Sequence, residues 1–150
     1  MFAPKKILVP TNLYEESDPA LKEAVDIASQ YDSKIYLLHV VDGAIYRRLI
    51  QNGVMQEELF DRIMAMRTEN LQEMIRRQKE TYVPARSIEI IPDIQVGQPS
   101  EVIVREQKKK GADLVVLGSR KKQGWIGQLL TNVADRVVRS ASFPALVVTH

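Results

Sequence analysis

A chain of 150 residues with 45% apolar and 27% charged side chains has the balance of one globular domain, long enough to bury a core without covalent staples. The absence of cysteine excludes a disulfide framework, a thiolate metal site and a cysteine nucleophile. With 21 Lys+Arg against 19 Asp+Glu the formal charge is +2, too mild to argue for a nucleic-acid partner, and no apolar run approaches the roughly 20 residues that span a bilayer. Met1 to Lys6 is basic but is followed by no apolar stretch of signal-peptide length, so a cytoplasmic location is expected and a membrane partner is not.

Short apolar runs alternate with longer amphipathic ones. Ile7-Leu8-Val9 is a β-branched run that Pro10 closes, predicting a strand near 5–9. Ser17 can cap a helix, with Asp18 and Pro19 in its first turn, and Leu21, Ala24, Val25 and Ala28 recur at helical spacing, so a helix is expected over 17–31. Ile35 to Val41 is nearly all apolar, the pattern of a parallel strand buried on both faces. Residues 44–54 after Asp42-Gly43 have no assignable structure. Leu59, Ile63, Met66, Met74 and Ile75 then fit one stripe of a long helix from 55 to 80, with the phase blurred from Thr68 to Asn70.

A third strand is expected over 87–91. Gly97-Gln98-Pro99 turns into a third helix with Val102 and Ile103 facing inward. That helix ends in Lys108-Lys109-Lys110-Gly111, cations on the negative end of the dipole followed by a glycine stop. A strand near 113–118 ends at Gly118. Val133, Ala134, Val137, Val138 and Ala141 mark a fourth helix, and 144–149 is the last strand. This alternation predicts a single α/β domain over 1–150: a doubly wound, five-stranded parallel sheet in order 3-2-1-4-5, with helices on both faces. Ligands in such sheets bind outside the carboxyl ends of the strands, which selects Pro10 to Tyr14, Val40 to Gly43 and Gly118 to Asn132.

The third of these segments, Gly118 to Gly127, is rich in glycine and lysine and precedes a helix. It can cradle an anion or be a basic surface loop, and it matches neither common phosphate-loop spacing. Thr131 and Asn132 can cap the following helix. Asn12 can meet a ligand or form an Asx turn. His39, inside an apolar run, reads as a core imidazole bonded to a neighbour. Trp125, the only tryptophan, can cover a ligand or anchor the loop. Two distant histidines without cysteine argue against a transition-metal site, and no nucleophile elbow is present.

Lys6 to Pro10, Leu38-His39-Val40, Gly97-Gln98-Pro99, Ala112 to Arg120 and Phe143 to Val148 together resemble the universal stress protein family, in order and over essentially the whole chain. The resemblance implies the five-stranded fold already reached and homodimers paired through the last strand, here Ala145 to Val148, whose edge an uncovered parallel sheet would leave unpaired. Some members of that family bind ATP and others do not. The binding members carry G-x2-G-x9-G-[ST] after the fourth strand and an Asp after the first. Here the first glycine is Gly118, the second falls on Lys121, the third on Thr131, the hydroxyl residue on Asn132 and the aspartate on Asn12. Pro10, Thr11 and Val40 match adenosine-side contacts, and Val133 completes the candidate cleft.

A Cβ at 121 and 131 obstructs the close backbone approach that phosphate needs. The expected function is therefore a dimeric stress-response binding and regulatory protein, more a binder than an enzyme. Its cleft would hold ATP weakly or not at all, with another adenine nucleotide or small molecule as ligand and no certain cofactor. An ATP-hydrolysing switch of the same family and a flavodoxin-like enzyme or electron carrier are the alternatives.

Overall fold

In a computed structural model, which describes residues 1–13, 18–119 and 132–149, the elements run β1 (Lys6–Thr11), α1 (Asp18–Tyr31), β2 (Lys34–Asp42), α2 (Gly43–Gln51), α3 (Glu57–Thr81), β3 (Ile90–Gly97), α4 (Pro99–Lys110), β4 (Leu114–Ser119), α5 (Asn132–Ser140) and β5 (Ala145–Thr149). The five strands are parallel in the order β3-β2-β1-β4-β5, as the alternation predicts. Side chains alternate across them. On one face Ile7, Val9, Ile35, Leu37 and Val116 pack with Val25 of α1 and Leu71 and Met74 of α3. On the other, Leu8, Leu38, Val115 and Leu117 pack with Ile103 of α4 and Val137 of α5. No described helix is long and apolar enough to cross a membrane.

Several boundaries differ from the sequence reading. β1 continues through Pro10 to Thr11. The third strand starts later than expected, because Val83–Ser87 forms a 3-10 turn and β3 runs on past Pro92 to Gly97. Pro92 is tolerated for a geometric reason. The Glu89 carbonyl accepts the Ile35 N–H at 2.9 Å, so by alternation the backbone groups of 90, 92 and 94 face away from β2, where a missing N–H breaks no ladder bond.

The unassigned segment 44–54 holds α2, which Asp42 caps by accepting the Ala44 N–H at 3.1 Å. A Cβ on Gly43 would stand 2.7 Å from Val96 Cγ1, so a side chain there would have to displace that valine. In α3 the expected inward stripe holds only in the second half. Leu71, Met74 and Gln78 are buried, whereas Leu59 and Met66 are exposed. The first half meets α2 instead, with the Tyr46 and Phe60 rings 5.4 Å apart. In α5, Val133 and Val138 are exposed while Ala134 and Val137 are buried.

Lys110 is more than a cation at a helix end. Its Nζ lies 2.6 Å from Asp93 Oδ2 on β3 and 2.8 Å from Oε1 of Glu106, whose side chain is 1% exposed. Burial alone would push the Asp93 carboxyl up, but the bonds it accepts from Lys110 and Gln95 outweigh that and hold it below the usual carboxylate range. The cluster locks the C-terminal turn of α4 onto the outer strand.

Candidate functional site

The seam between β1 and β4 is tied at its amino end. At the amino ends, the Lys5 and Lys6 N–H groups donate to Asp113 Oδ2 at 2.8 and 3.0 Å, and the Asp113 N–H donates to the Lys6 carbonyl at 2.8 Å. The ladder then pairs Ile7 with Leu114 and Leu8 with Val115, and stops. β1 nevertheless remains paired with β2 as far as Thr11, and β4 with β5 as far as Ser119. The candidate crevice is the one expected outside the carboxyl ends of β1 and β4. This is where the path of the chain across the sheet reverses, the place where open α/β sheets take ligands.

Most of the residues singled out in the sequence converge there. Pro10 and Thr11 end β1, Asn12 follows it on the exposed side, Gly118 lies near the end of β4, and Val40 stands on the neighbouring strand β2. Val40 packs on the cluster that faces α4 and α5, which supplies an apolar wall. Asn132 and Val133 open α5, which lies against β4 and α4. Lys121, Thr131, the basic loop between them and Trp125 lie outside the described residues.

Beneath this opening, Thr11 is buried and fully engaged. Its Oγ1 accepts the Leu13 N–H at 3.0 Å and donates to Met74 Sδ at 3.5 Å. Thr11 shapes the turn, in which Leu13 stands at φ 72°, a left-handed backbone that leucine seldom adopts; the N–H of Tyr14, which an Asx turn at Asn12 would use, lies outside the described residues. The Thr11 carbonyl accepts from His39 Nδ1 at 2.9 Å.

His39 is a buried core imidazole, as its apolar surroundings in the sequence suggested. Its Nε2 accepts from Arg67 Nη1 at 3.0 Å, and Arg67 Nη2 donates to the Tyr46 hydroxyl at 3.2 Å. Burial holds the imidazole pKa below its ordinary value, against an opposing pull from the Thr11 carbonyl, and the Arg67 charge adds the smallest of the three contributions in the same direction as burial. Sequence reasoning missed Arg67 and Tyr46. The available signal was the blurred stripe beginning at Thr68, which marks where α3 leaves the apolar core and a polar contact takes over.

Chemically, the crevice offers an apolar wall, strand-end backbone groups and an uncharged amide at Asn12. Among the described residues no group of three or more metal-ligating side chains comes together. Residues 4–149 match the family model of the universal stress protein family. The chain belongs to that family. Universal stress protein MJ0531 of Methanocaldococcus jannaschii is 33% identical over 144 residues, covering 96% of this chain and 81% of that protein. The solved structure of MJ0577, from the same organism, has a TM-score of 0.77 at 28% identity and covers 99% of this chain and 98% of that one. A universal stress protein solved in complex with cAMP shares the fold, with a TM-score of 0.69 at 24% identity and 98% of each chain covered.

Proposed function

We propose that this universal stress protein is a cytoplasmic stress-response regulator that works by binding, as a homodimer paired through β5, and that its β1–β4 crevice takes an adenine nucleotide while holding ATP weakly or not at all. The observation that supports the reading is the strand order, which reverses between β1 and β4 with Pro10, Thr11 and Gly118 at or near their carboxyl ends, where open α/β sheets receive ligands. The cAMP complex of a protein with the same fold supports an adenine ligand with a compact phosphate.

The phosphate side argues against ATP. Lys121 and Thr131 stand where two glycines would let phosphate oxygens approach the backbone, and Asn12 stands where an aspartate would be expected. Arg120, Lys121 and Lys122 add positive charge to this segment, but the pull of a charge in water on an anion is screened over about 8–10 Å at physiological salt. No catalytic step is needed for a regulator of this kind.

Calorimetry with ATP and with cAMP tests the reading. The wild type should bind cAMP, and bind ATP more weakly, with an ATP affinity that falls as salt is raised. The triple variant Lys121→Gly, Thr131→Gly, Asn132→Ser should gain ATP affinity. Tight, salt-insensitive ATP binding by the wild type, or no gain in the variant, would refute the assignment of these positions.

A further inference from the structure

The contacts of His39 fix where its ring proton sits, and they do so from both sides. A guanidinium only donates, so Nε2, facing Arg67 at 3.0 Å, must present its lone pair. A carbonyl only accepts, so Nδ1, facing the Thr11 oxygen at 2.9 Å, must carry the proton. The two ends demand the same neutral tautomer, and a permanent cation on α3 enforces it.

The bond so formed lands on the residue that shapes the loop. Thr11 holds the following turn through its hydroxyl, with Leu13 at φ 72°, and between them stands the exposed Asn12 at the carboxyl end of β1. A left-handed leucine persists only where its surroundings over-determine it. With the proton on Nε2 instead, a lone pair on Nδ1 would face the Thr11 carbonyl and the clamp would become a repulsion.

We propose that Arg67 is a positioning residue for the crevice: by donating to Nε2 of His39 it keeps the imidazole proton on Nδ1, where it clamps the Thr11 carbonyl and with it the loop that carries Asn12. Arg67 lies 28 residues from His39 in the chain and bonds to its ring and to Tyr46, so its effect on Thr11 travels through the ring. The inference rests on the nucleotide reading of the crevice only for its binding readout. The titratable and charged groups at this node, among the described residues, are Arg67 from α3 and, beyond it, Tyr46 from α2. β1 presents the uncharged Thr11.

This role has a pH signature that a merely structural one lacks. In Arg67→Met the neutral ring is free to move its proton to Nε2, which weakens the clamp. The imidazolium donates from Nδ1 whatever stands opposite Nε2, so acidification restores the clamp in the variant. In the wild type Nδ1 donates in both states, and affinity stays level. The chain's only other histidine is His150, which keeps the titration readable.

The test uses the full chain labelled with 15N, as wild type and Arg67→Met, with cAMP as the probe because its phosphodiester keeps the same charge across the range. The ring nitrogens of His39 report the tautomer, the Asn12 and Leu13 amides report the loop, and titration gives affinity at about pH 8 and about pH 5. The expected result is a wild type with Nδ1–H at the higher pH. The variant should show a partial shift of the proton to Nε2 and displaced loop amides. It should bind cAMP about fivefold more weakly, roughly the worth of one net hydrogen bond, and the deficit should close at the lower pH.

A wild-type ring with its proton on Nε2, a variant whose proton stays on Nδ1, or an equal affinity deficit at both pH values in a variant whose ring nitrogens show the imidazolium at the lower one would each overturn the proposal. If the wild type binds no cAMP at either pH, the nucleotide reading falls. The ring tautomer and the two loop amides then decide for or against Arg67 by themselves.

Discussion

β3 and β5 both close the sheet, yet β3 carries Pro92, Asp93 and Gln95 among its eight residues, whereas β5 reads Ala-Leu-Val-Val-Thr, without a proline or a charge. The difference is built into the backbone as well. On β3 the outward-facing position 92 has no N–H to offer, and Asp93 is held by Lys110 and Gln95. On β5 the Pro144 carbonyl accepts the Val115 N–H at 3.0 Å, so the groups of 144, 146 and 148 face β4 and those of 145, 147 and 149 face outward. Leu146 and Val147 are more than a third exposed, unlike the buried apolar residues of the inner strands. Proteins blunt an exposed edge with prolines and charges where they must stay unpaired. β3 is blunted in this way and β5 is not, which is the physical support for pairing two copies through β5.

The largest expected effect comes from removing that asymmetry. Val147→Pro deletes an outward N–H without touching the β4 ladder, so the fold should survive while the assembly does not. Light scattering at micromolar concentration should give twice the chain mass for the wild type and 17.1 kDa for the variant. A monomeric wild type would end the contrast between the edges.

Next in size is the cluster that steadies the blunted edge. Lys110→Met leaves Glu106 buried without its main partner, Arg105 Nε remaining 3.6 Å away, and should cost about 3 kcal/mol in chemical denaturation. Replacing all three charges together, as Asp93→Leu, Glu106→Leu, Lys110→Met, should cost less than the single change, because no buried charge is then left uncompensated. Equal or greater loss in the triple variant would show that the ions themselves hold β3.

The smallest effect is the pH dependence of the same cluster. The Asp93 carboxyl titrates lower in the folded chain than its ordinary value of 3.8, because bonds to Lys110 and Gln95 outweigh the opposing effect of burial. Its contribution to stability is therefore present above 3.8 and lost as pH falls through the lower folded value. Lys110 mirrors it. Burial would lower its pKa, but Asp93 and Glu106 raise it above 10.5, so its contribution holds below 10.5 and is lost as pH rises through the higher folded value. Stability measured on the acid side should fall less steeply in Lys110→Met than in the wild type. Identical slopes would remove Lys110 as the cause.

Where sequence reasoning worked, one local signal was strong enough to stand alone. The runs at Ile7, Ile35 and Leu114 are buried on both faces of a parallel sheet, so they appear as unbroken apolar stretches. The α4 boundaries were legible because both caps are local. Gln98 accepts the Glu101 N–H at 2.8 Å, and Gly111 adopts a left-handed φ of 68°. α2 went unassigned although Asp42 capped it and Ile45 and Leu49 stood one turn apart, because no residue in it beyond Gly43 is buried and the apolar pattern was correspondingly weak. The first half of α3 misled in the opposite sense. Leu59 and Met66 keep helical spacing but face away from the core, since that half of the helix packs on α2. Of the cleft, the positions Pro10, Thr11, Asn12, Val40 and Gly118 were legible because strand ends and glycines mark them in the chain. The polar support beneath them was not.

The sequence by itself determined the order and parallel sense of the strands, the two buried faces and the family, all of which rest on periodicity, caps and motifs confined to short stretches. Only the tertiary structure decided that the β1–β4 ladder stops at Leu8 and Val115, that Lys110 reaches across 17 residues to Asp93, and that Arg67 meets the ring of a histidine 28 residues away. Such contacts join side chains whose separation along the chain has no period. They come into being only when packing of the apolar faces brings the elements together, and the low dielectric of that packed interior then makes a single proton or charge matter.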